Sequence, residues 1–245
     1  MKKLLLCATI AVAMCFASCE DFDASDILDR LDNVENQLDD LKNNEENQGG
    51  DNSGDTGEGN TRENNKIYYT TSDNTKLFPN TDANLYGAIL ISNTYKDGQG
   101  VLTFDDSVTS IGDAAFSSCT SLTSITIPDS VTSIGRIAFQ VCTSLKSVTI
   151  GNGVKTIGST AFYKCTSLAS VTIPDSVTSI GDMAFYNCTS LKEVYCKPTT
   201  PPAGATMFDY NTSGRKIYVP TNSVDAYKAA NNWRDYASDI IGYDF

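Results

Sequence analysis

The chain has 245 residues, 40% of them apolar, and its 30 acidic against 18 basic side chains leave a formal net charge of −12. It contains no histidine, which excludes Ser-His-Asp and Cys-His catalysis and any His-bearing zinc site. Charge is unevenly divided, with fifteen acidic and three basic residues in 20–64 but fifteen and thirteen in 65–245; no basic stripe is left to neutralise phosphates, which excludes a nucleic-acid partner.

Lys2 and Lys3, the apolar run Leu4–Phe16 and small residues after it form an export signal over 1–18, too short for a stable membrane span. Phe16-Ala-Ser-Cys19 resembles a lipobox, which implies that Cys19 is lipidated and begins the mature chain; ordinary signal cleavage nearby is the alternative. Glu20-Asp21-Phe22-Asp23 is similar to the short acidic signals of Bacteroidetes lipoproteins. That implies an outer-membrane, lipid-anchored and surface-exposed protein, with no other membrane contact. Ile27, Leu31, Val34, Leu38 and Leu41 step by four and three, as the a and d positions of a coiled coil do. Two heptads are marginal alone, so weak self-association through 27–41 depends on the local concentration of tethered chains; a lone spacer helix is the alternative. Asn43–Asn65 is rich in Gly, Asn, Asp and Glu and almost free of apolar residues, the composition of a disordered linker reaching about 25–30 Å.

One capped domain is expected over 65–245. Its first part, 65–100, alternates Tyr68, Leu77, Leu85, Ile89 and Ile91 with polar residues, and Asp97-Gly98 reads as a hairpin turn, which predicts a β-rich N-terminal cap.

Four copies of a 23-residue unit follow over 101–196. Ile111, Ile134, Ile157 and Ile180 are each followed by Gly, then Ala-Phe, then Cys-Thr-Ser-Leu. After each Leu comes an alternating stretch such as Leu122-Thr-Ser-Ile-Thr-Ile127, the pattern of a half-buried strand. One unit is too small to bury its own apolar face, so the units stack, with parallel strands about 4.8 Å apart. Phe116, Phe139, Phe162 and Phe185 are then expected to form one internal row. Leu-x-x-Ile-x-Ile-Pro-x-x-Val-x-x-Ile-Gly-x-x-Ala-Phe-x-x-Cys resembles the Treponema-type leucine-rich repeat of BspA-like bacterial surface proteins. That resemblance implies an α/β leucine-rich-repeat solenoid of parallel β-strands with short helical turns. Asp105 replaces the first Pro, and Gly151-Asn-Gly153 stands where two other copies have Pro-Asp-Ser.

Over 197–245, Ile217-Tyr-Val-Pro220 reads as a last strand, Thr221–Ser223 as the N-cap of a helix running to about Asn231, and Trp233, Tyr236 and Ile240 as a lid on the final repeat. These predict a helical C-terminal cap.

Little in the chain suggests chemistry. Cys119, Cys142, Cys165 and Cys188 lie one repeat apart, which predicts a ladder of buried reduced thiols acting as small hydrophobes; four-cysteine zinc binding needs convergence on a point, not a line. Asp106, Asp129 and Asp175 share one repeat position and read as turn residues rather than a catalytic pair or a calcium stack. Their Asp-Ser-Val triplets resemble Bacteroidetes O-glycosylation sites. No catalytic residue, metal site or cofactor is expected, and the chain is not read as an enzyme. The side chains that vary between copies offer the candidate binding surface: Arg136, Tyr163, Lys164 and Tyr186 around the turn and Tyr195 on the strand face. Taken with the family resemblance, they point to a surface lipoprotein presenting a module for protein binding or adhesion to host or bacterial macromolecules. The alternatives are a glycan-binding protein stacking sugars on Tyr163, Tyr186 and Tyr195, and an envelope component with no soluble ligand.

Overall fold

A computed structural model describes residues 63–245, except Thr81. The export signal, Cys19, the 27–41 heptads and most of the acidic linker lie outside the described residues. The chain first forms β1 (Lys66–Thr71), β2 (Leu90–Lys96) and β3 (Gln99–Phe104). Each coil then contributes a short and a long strand: β4 (Ser110–Ile111) and β5 (Leu122–Thr126), β6 (Ser133–Ile134) and β7 (Ser147–Thr149), β8 (Thr156–Ile157) and β9 (Ser170–Ile173), β10 (Ser179–Ile180) and β11 (Glu193–Cys196). β12 (Lys216–Pro220), the helix α1 (Val224–Ala229) and β13 (Ile240–Tyr243) complete it.

The fold is a parallel β-solenoid of about six turns. The short strands pair β4-β6-β8-β10, and the long strands pair β5-β7 and β9-β11-β12-β13, all parallel. Register advances by one repeat at each step: Ile111 faces Ile134, Ile125 faces Val148, and Val194 lies between Val171 and Ile217. The expected row of rings is present. Phe116, Phe139, Phe162 and Phe185 are fully buried, with centroids 5.0–5.1 Å apart and planes within 5° of parallel. Ring spacing thus follows strand spacing, because the rise of one coil fixes both.

The coils extend beyond 196, where the four-copy reading stops. Phe208 continues the row 5.5 Å from Phe185, and Ile217 pairs with Ile240 as Val194 does with Ile217. β12 is therefore not the last strand; β13 is added outside it. Trp233, Tyr236 and Ile240 are buried there, and Trp233 Nε1 donates to Pro202 O at 2.8 Å. The helix ends at Ala229 rather than near Asn231, and the Thr221–Ser223 side chains make no capping bond, because these residues form a 3₁₀ turn preceding α1.

The expected helical turns are absent. Around each Ala-Phe the backbone makes successive tight turns, with left-handed residues four positions apart: Ala114 and Ser118, Ile137 and Val141, Thr160 and Lys164, Met183 and Asn187. These reversals point N–H groups along the solenoid instead of back to the fourth preceding carbonyl. Phe116 N donates to Ala138 O, Phe139 N to Ala161 O and Phe162 N to Ala184 O, each at 2.7 Å. Backbone groups are thus satisfied between coils, and α1 is the single α-helix among the described residues. An α/β label overstates the helix content.

At the other end β1 lies antiparallel between β3 and β5, and β2 pairs antiparallel with β3. The β2–β3 hairpin turns at Asp97-Gly98, both with positive φ, as a two-residue primed turn requires. Burial differs from the expected alternation. Ile67 and Tyr69 are buried instead of Tyr68, while Ile89 and Ile91 are exposed. Asp105, in place of proline, holds this segment: Ile89 N donates to its carboxylate at 2.7 Å.

Candidate functional site

The cysteine ladder is structural. Cys142, Cys165 and Cys188 are buried, and each Sγ donates to a Phe carbonyl of the preceding coil, Phe116 O, Phe139 O and Phe162 O, at 3.1–3.2 Å. Burial pushes all three thiols up, Cys188 to about 12. Cys119 is less enclosed and is pushed up by burial to about 11. Neutral thiols of this kind are poor nucleophiles and poor metal ligands. Among the described residues no three His, Cys, Asp or Glu side chains converge on a metal-sized site.

The repeated Asp and Ser side chains act between coils. Asp129 accepts from Asn152 N at 2.7 Å and Asp113 from Arg136 N at 2.6 Å. Within the Asp-Ser-Val triplets, Ser130 Oγ donates to Val108 O and Ser176 Oγ to Val154 O, both at 2.7 Å. These hydroxyls tie one coil to the previous one.

The five candidate binding residues fall on two different surfaces. Tyr163 and Tyr186 stack on the turn edge, 5.4 Å apart and 14° from parallel, with Lys164 Nζ 5.3 Å above the Tyr163 ring. Tyr210, which sequence spacing did not single out, extends this row 4.8 Å beyond Tyr186 and is 72% exposed. The Tyr186 ring is thus flanked by rings of both adjacent coils, leaving little of its π-face for a sugar. Arg136 is exposed a coil earlier, and its backbone N–H is engaged by Asp113.

Tyr195 belongs to the strand face. It stacks on Tyr218 at 4.8 Å and 16°, and Tyr243 packs edge-on against both. Burial and the Glu193 carboxylate, 3.2 Å from the Tyr195 hydroxyl, push this phenol above its ordinary value. Phe245 adds a further ring beside Tyr243, with Lys197 Nζ 5.9 Å above it. Ile241 and Tyr243 on the outermost strand, and Phe245 two residues beyond its end, are 38–50% exposed at alternating positions. Tyr218 was foreseeable as the residue one repeat after Tyr195; Tyr243 and Phe245 obey no repeat spacing.

The described residues form a solenoid of 23-residue coils with an interior of stacked rings. The sequence profile of the BspA type leucine rich repeat region matches residues 100–231 in six copies, and the chain belongs to that family. Solenoids of this kind are typically non-enzymatic binding scaffolds. No curated protein matches the chain. Among solved structures it is similar to a leucine-rich-repeat protein of T. pallidum, with 32% identity over 48% of this chain and 55% of that one and a TM-score of 0.45. A leucine-rich cell surface protein of Faecalibacterium prausnitzii shows 28% identity over 56% of this chain and 34% of its own, with a TM-score of 0.43. A leucine-rich repeat protein of Bacteroides capillosus shows 31% identity over 55% of this chain and 96% of its own, with a TM-score of 0.36. The chain spans about half the length of the first of these.

Proposed function

We propose that the chain is a surface lipoprotein whose solenoid binds another protein, adhesively, on host cells or neighbouring bacteria. In this reading Cys19 carries the lipid in the outer membrane, the acidic linker spaces the domain from the bilayer, and no cofactor takes part. One observation carries the choice of ligand class and face: the patch formed by Tyr195, Tyr218, Ile241 and Tyr243 on the last three strands and by Phe245 just after them. Clustered tyrosines with part of their area exposed supply large contact area at low entropic cost, as interface anchors do. β13 has no strand on its outer side among the described residues, so a partner strand can add there through main-chain hydrogen bonds.

The test is surface plasmon resonance of the purified chain against immobilised extracellular-matrix proteins and bacterial surface proteins. Tyr218→Ala and Tyr243→Ala should each weaken binding about tenfold or more, the usual loss at an interface anchor. Equal binding by wild type and both variants would reject this face. Anchoring is tested separately, since Cys19→Ser should release the chain from the membrane fraction and abolish labelling by a fatty-acid analogue.

A further inference from the structure

The two ends of the solenoid treat their edge strands differently. At the N-terminal end β2 is the edge of its sheet; it carries Lys96 and shifts register between Leu90 and Ser92. A charge and a bulge are devices that keep an edge strand from pairing with another chain. At the C-terminal end β13 is the edge, and Ile240–Tyr243 contains no lysine, proline or register shift. Every residue from Ile241 to Phe245 is exposed, Gly242 included.

Which main-chain groups are free follows from the pairing on the inner side of β13. Ile217 N donates to Asp239 O at 2.8 Å, and Ile217 lies opposite Ile240. Parallel pairing from that point turns the main-chain groups of Ile241 and Tyr243 toward β12 and those of Ile240, Gly242 and Asp244 away from it. The outward groups have no partner among the described residues. A second copy related by a two-fold axis supplies what this edge lacks. With the axis at Gly242, antiparallel pairing sets Gly242 against Gly242 of the other copy and Ile240 against its Asp244. The outward groups then make about six main-chain hydrogen bonds, and Ile241 falls opposite Tyr243 of the other copy, twice over, at the closely spaced positions. A β-branched residue facing an aromatic ring is a favoured cross-strand pair. No like charges oppose each other, because Asp244, the one charged side chain in the paired stretch, faces Ile240. With fifteen acidic and thirteen basic residues in 65–245, two copies of the domain are not driven apart by net charge.

Position decides what such pairing does. The acidic segment enters the domain at Asn64 and Asn65, whose carbonyls accept from Val108 N and Phe104 N, whereas β13 is the last strand at the other end of the stack. We propose that β13 pairs antiparallel with β13 of a second copy, joining two solenoids tip to tip with their linkers at the far ends, so that chains on facing surfaces hold one another. This inference rests on the reading of β13 as a protein-binding edge and names the partner. Each junction is small, with a Kd on the order of 10 µM as suits a contact below ~1,200 Å², and many junctions between two surfaces act together.

The experiment is sedimentation velocity of the purified, unlipidated Cys19→Ser chain from about 1 to 500 µM, a range that brackets the expected Kd, with amide hydrogen exchange followed by NMR on the same samples. A monomer–dimer equilibrium is expected, in which exchange at Ile240, Gly242 and Asp244 slows as concentration rises while Ile241 and Tyr243 stay protected throughout. Tyr243→Lys and Ile241→Lys each place a charge at the edge and should weaken the dimer about tenfold or more without changing the melting temperature; if one fails to fold, the other serves. Leu31→Asp removes any association through 27–41 and should leave the β13 dimer intact. Beads carrying the chain through residue 19 should clump, and beads carrying Tyr243→Lys should stay dispersed. A monomer at the highest concentration, exchange at Gly242 that ignores concentration, or a dimer untouched by both lysine variants would overturn the proposal. Binding of a foreign protein that is lost in Tyr218→Ala and Tyr243→Ala, with no dimer, would overturn it while leaving the protein-binding reading in place.

Discussion

Replacing Phe162 by alanine tests whether the coils share one interior. The ring is fully buried and has Phe139 on one side and Phe185 on the other, both at 5.0 Å. Burial loss and the residual cavity together cost about 3–5 kcal/mol for a buried Phe→Ala change. Each aromatic pair adds about 0.5–1.5 kcal/mol beyond area, which places this residue toward the upper end. For a folded unit of 150–250 residues such a loss lowers the melting temperature by roughly 6–20 °C, at about 2–4 °C per kcal/mol. Phe162→Leu retains most of the volume and should cost only about 1–1.5 kcal/mol. Urea denaturation monitored by the buried Trp233 gives these differences directly, and because that probe sits in the last coil, its loss together with far-UV circular dichroism reports whether the stack unfolds as a unit. A double-mutant cycle with Phe139→Ala should show coupling of about 0.5–3 kcal/mol, as for residues in contact. A Phe162→Ala penalty below about 1 kcal/mol, no larger than that of a surface control such as Lys164→Ala, would refute a pooled core.

Three further outcomes follow from the same geometry. Val141 holds a left-handed φ of 60°, unfavourable for a β-branched residue, where Asn187 sits two coils later at 57°; Val141→Asn should raise stability by roughly 0.5–1 kcal/mol in urea titrations, by relief of strain that costs about 1–2 kcal/mol. The buried thiols are protonated when folded, with folded values raised above the ordinary 9.0 to about 12 for Cys188 and Cys196, so their contribution is fully present below about pH 9 and lost as pH rises toward 12; denaturation midpoints should fall between pH 8 and pH 11, and Cys188→Ala should flatten that slope. At pH 8 a thiol reagent should leave Cys142, Cys165 and Cys188 unlabelled in the native chain and modify them only after unfolding, which mass spectrometry of digested protein would show.

How much of this was readable in the residues depends on which physical constraint each feature obeys. The Phe row, the parallel register and the cysteine ladder were legible because stacking demands the same side chain at the same place in every coil, and a 23-residue period records that demand directly. The coil of Phe208 obeys the same period, since Phe185, Val194 and Ile217 each recur in kind 23 residues on, as Phe208, Ile217 and Ile240. It was masked because Ala203 and Asn211 replace the signature Ile and Cys, and because Pro198, Pro201 and Pro202 interrupt the run. The turn edge was misread as helical for a different reason: reversal of φ at Ile137, Val141, Thr160 and Lys164 is imposed by hydrogen bonds to the next coil, against the preference of those residues, so local propensity carries no trace of it. The ion pair of Arg215 with Asp239, 2.8 Å apart, is less legible still, because the two residues meet only when β12 and β13 lie in register. Regularity in this protein encodes what the coils need from one another, and at Asn211, Tyr210 and the last strand that need no longer dictates which side chain is used.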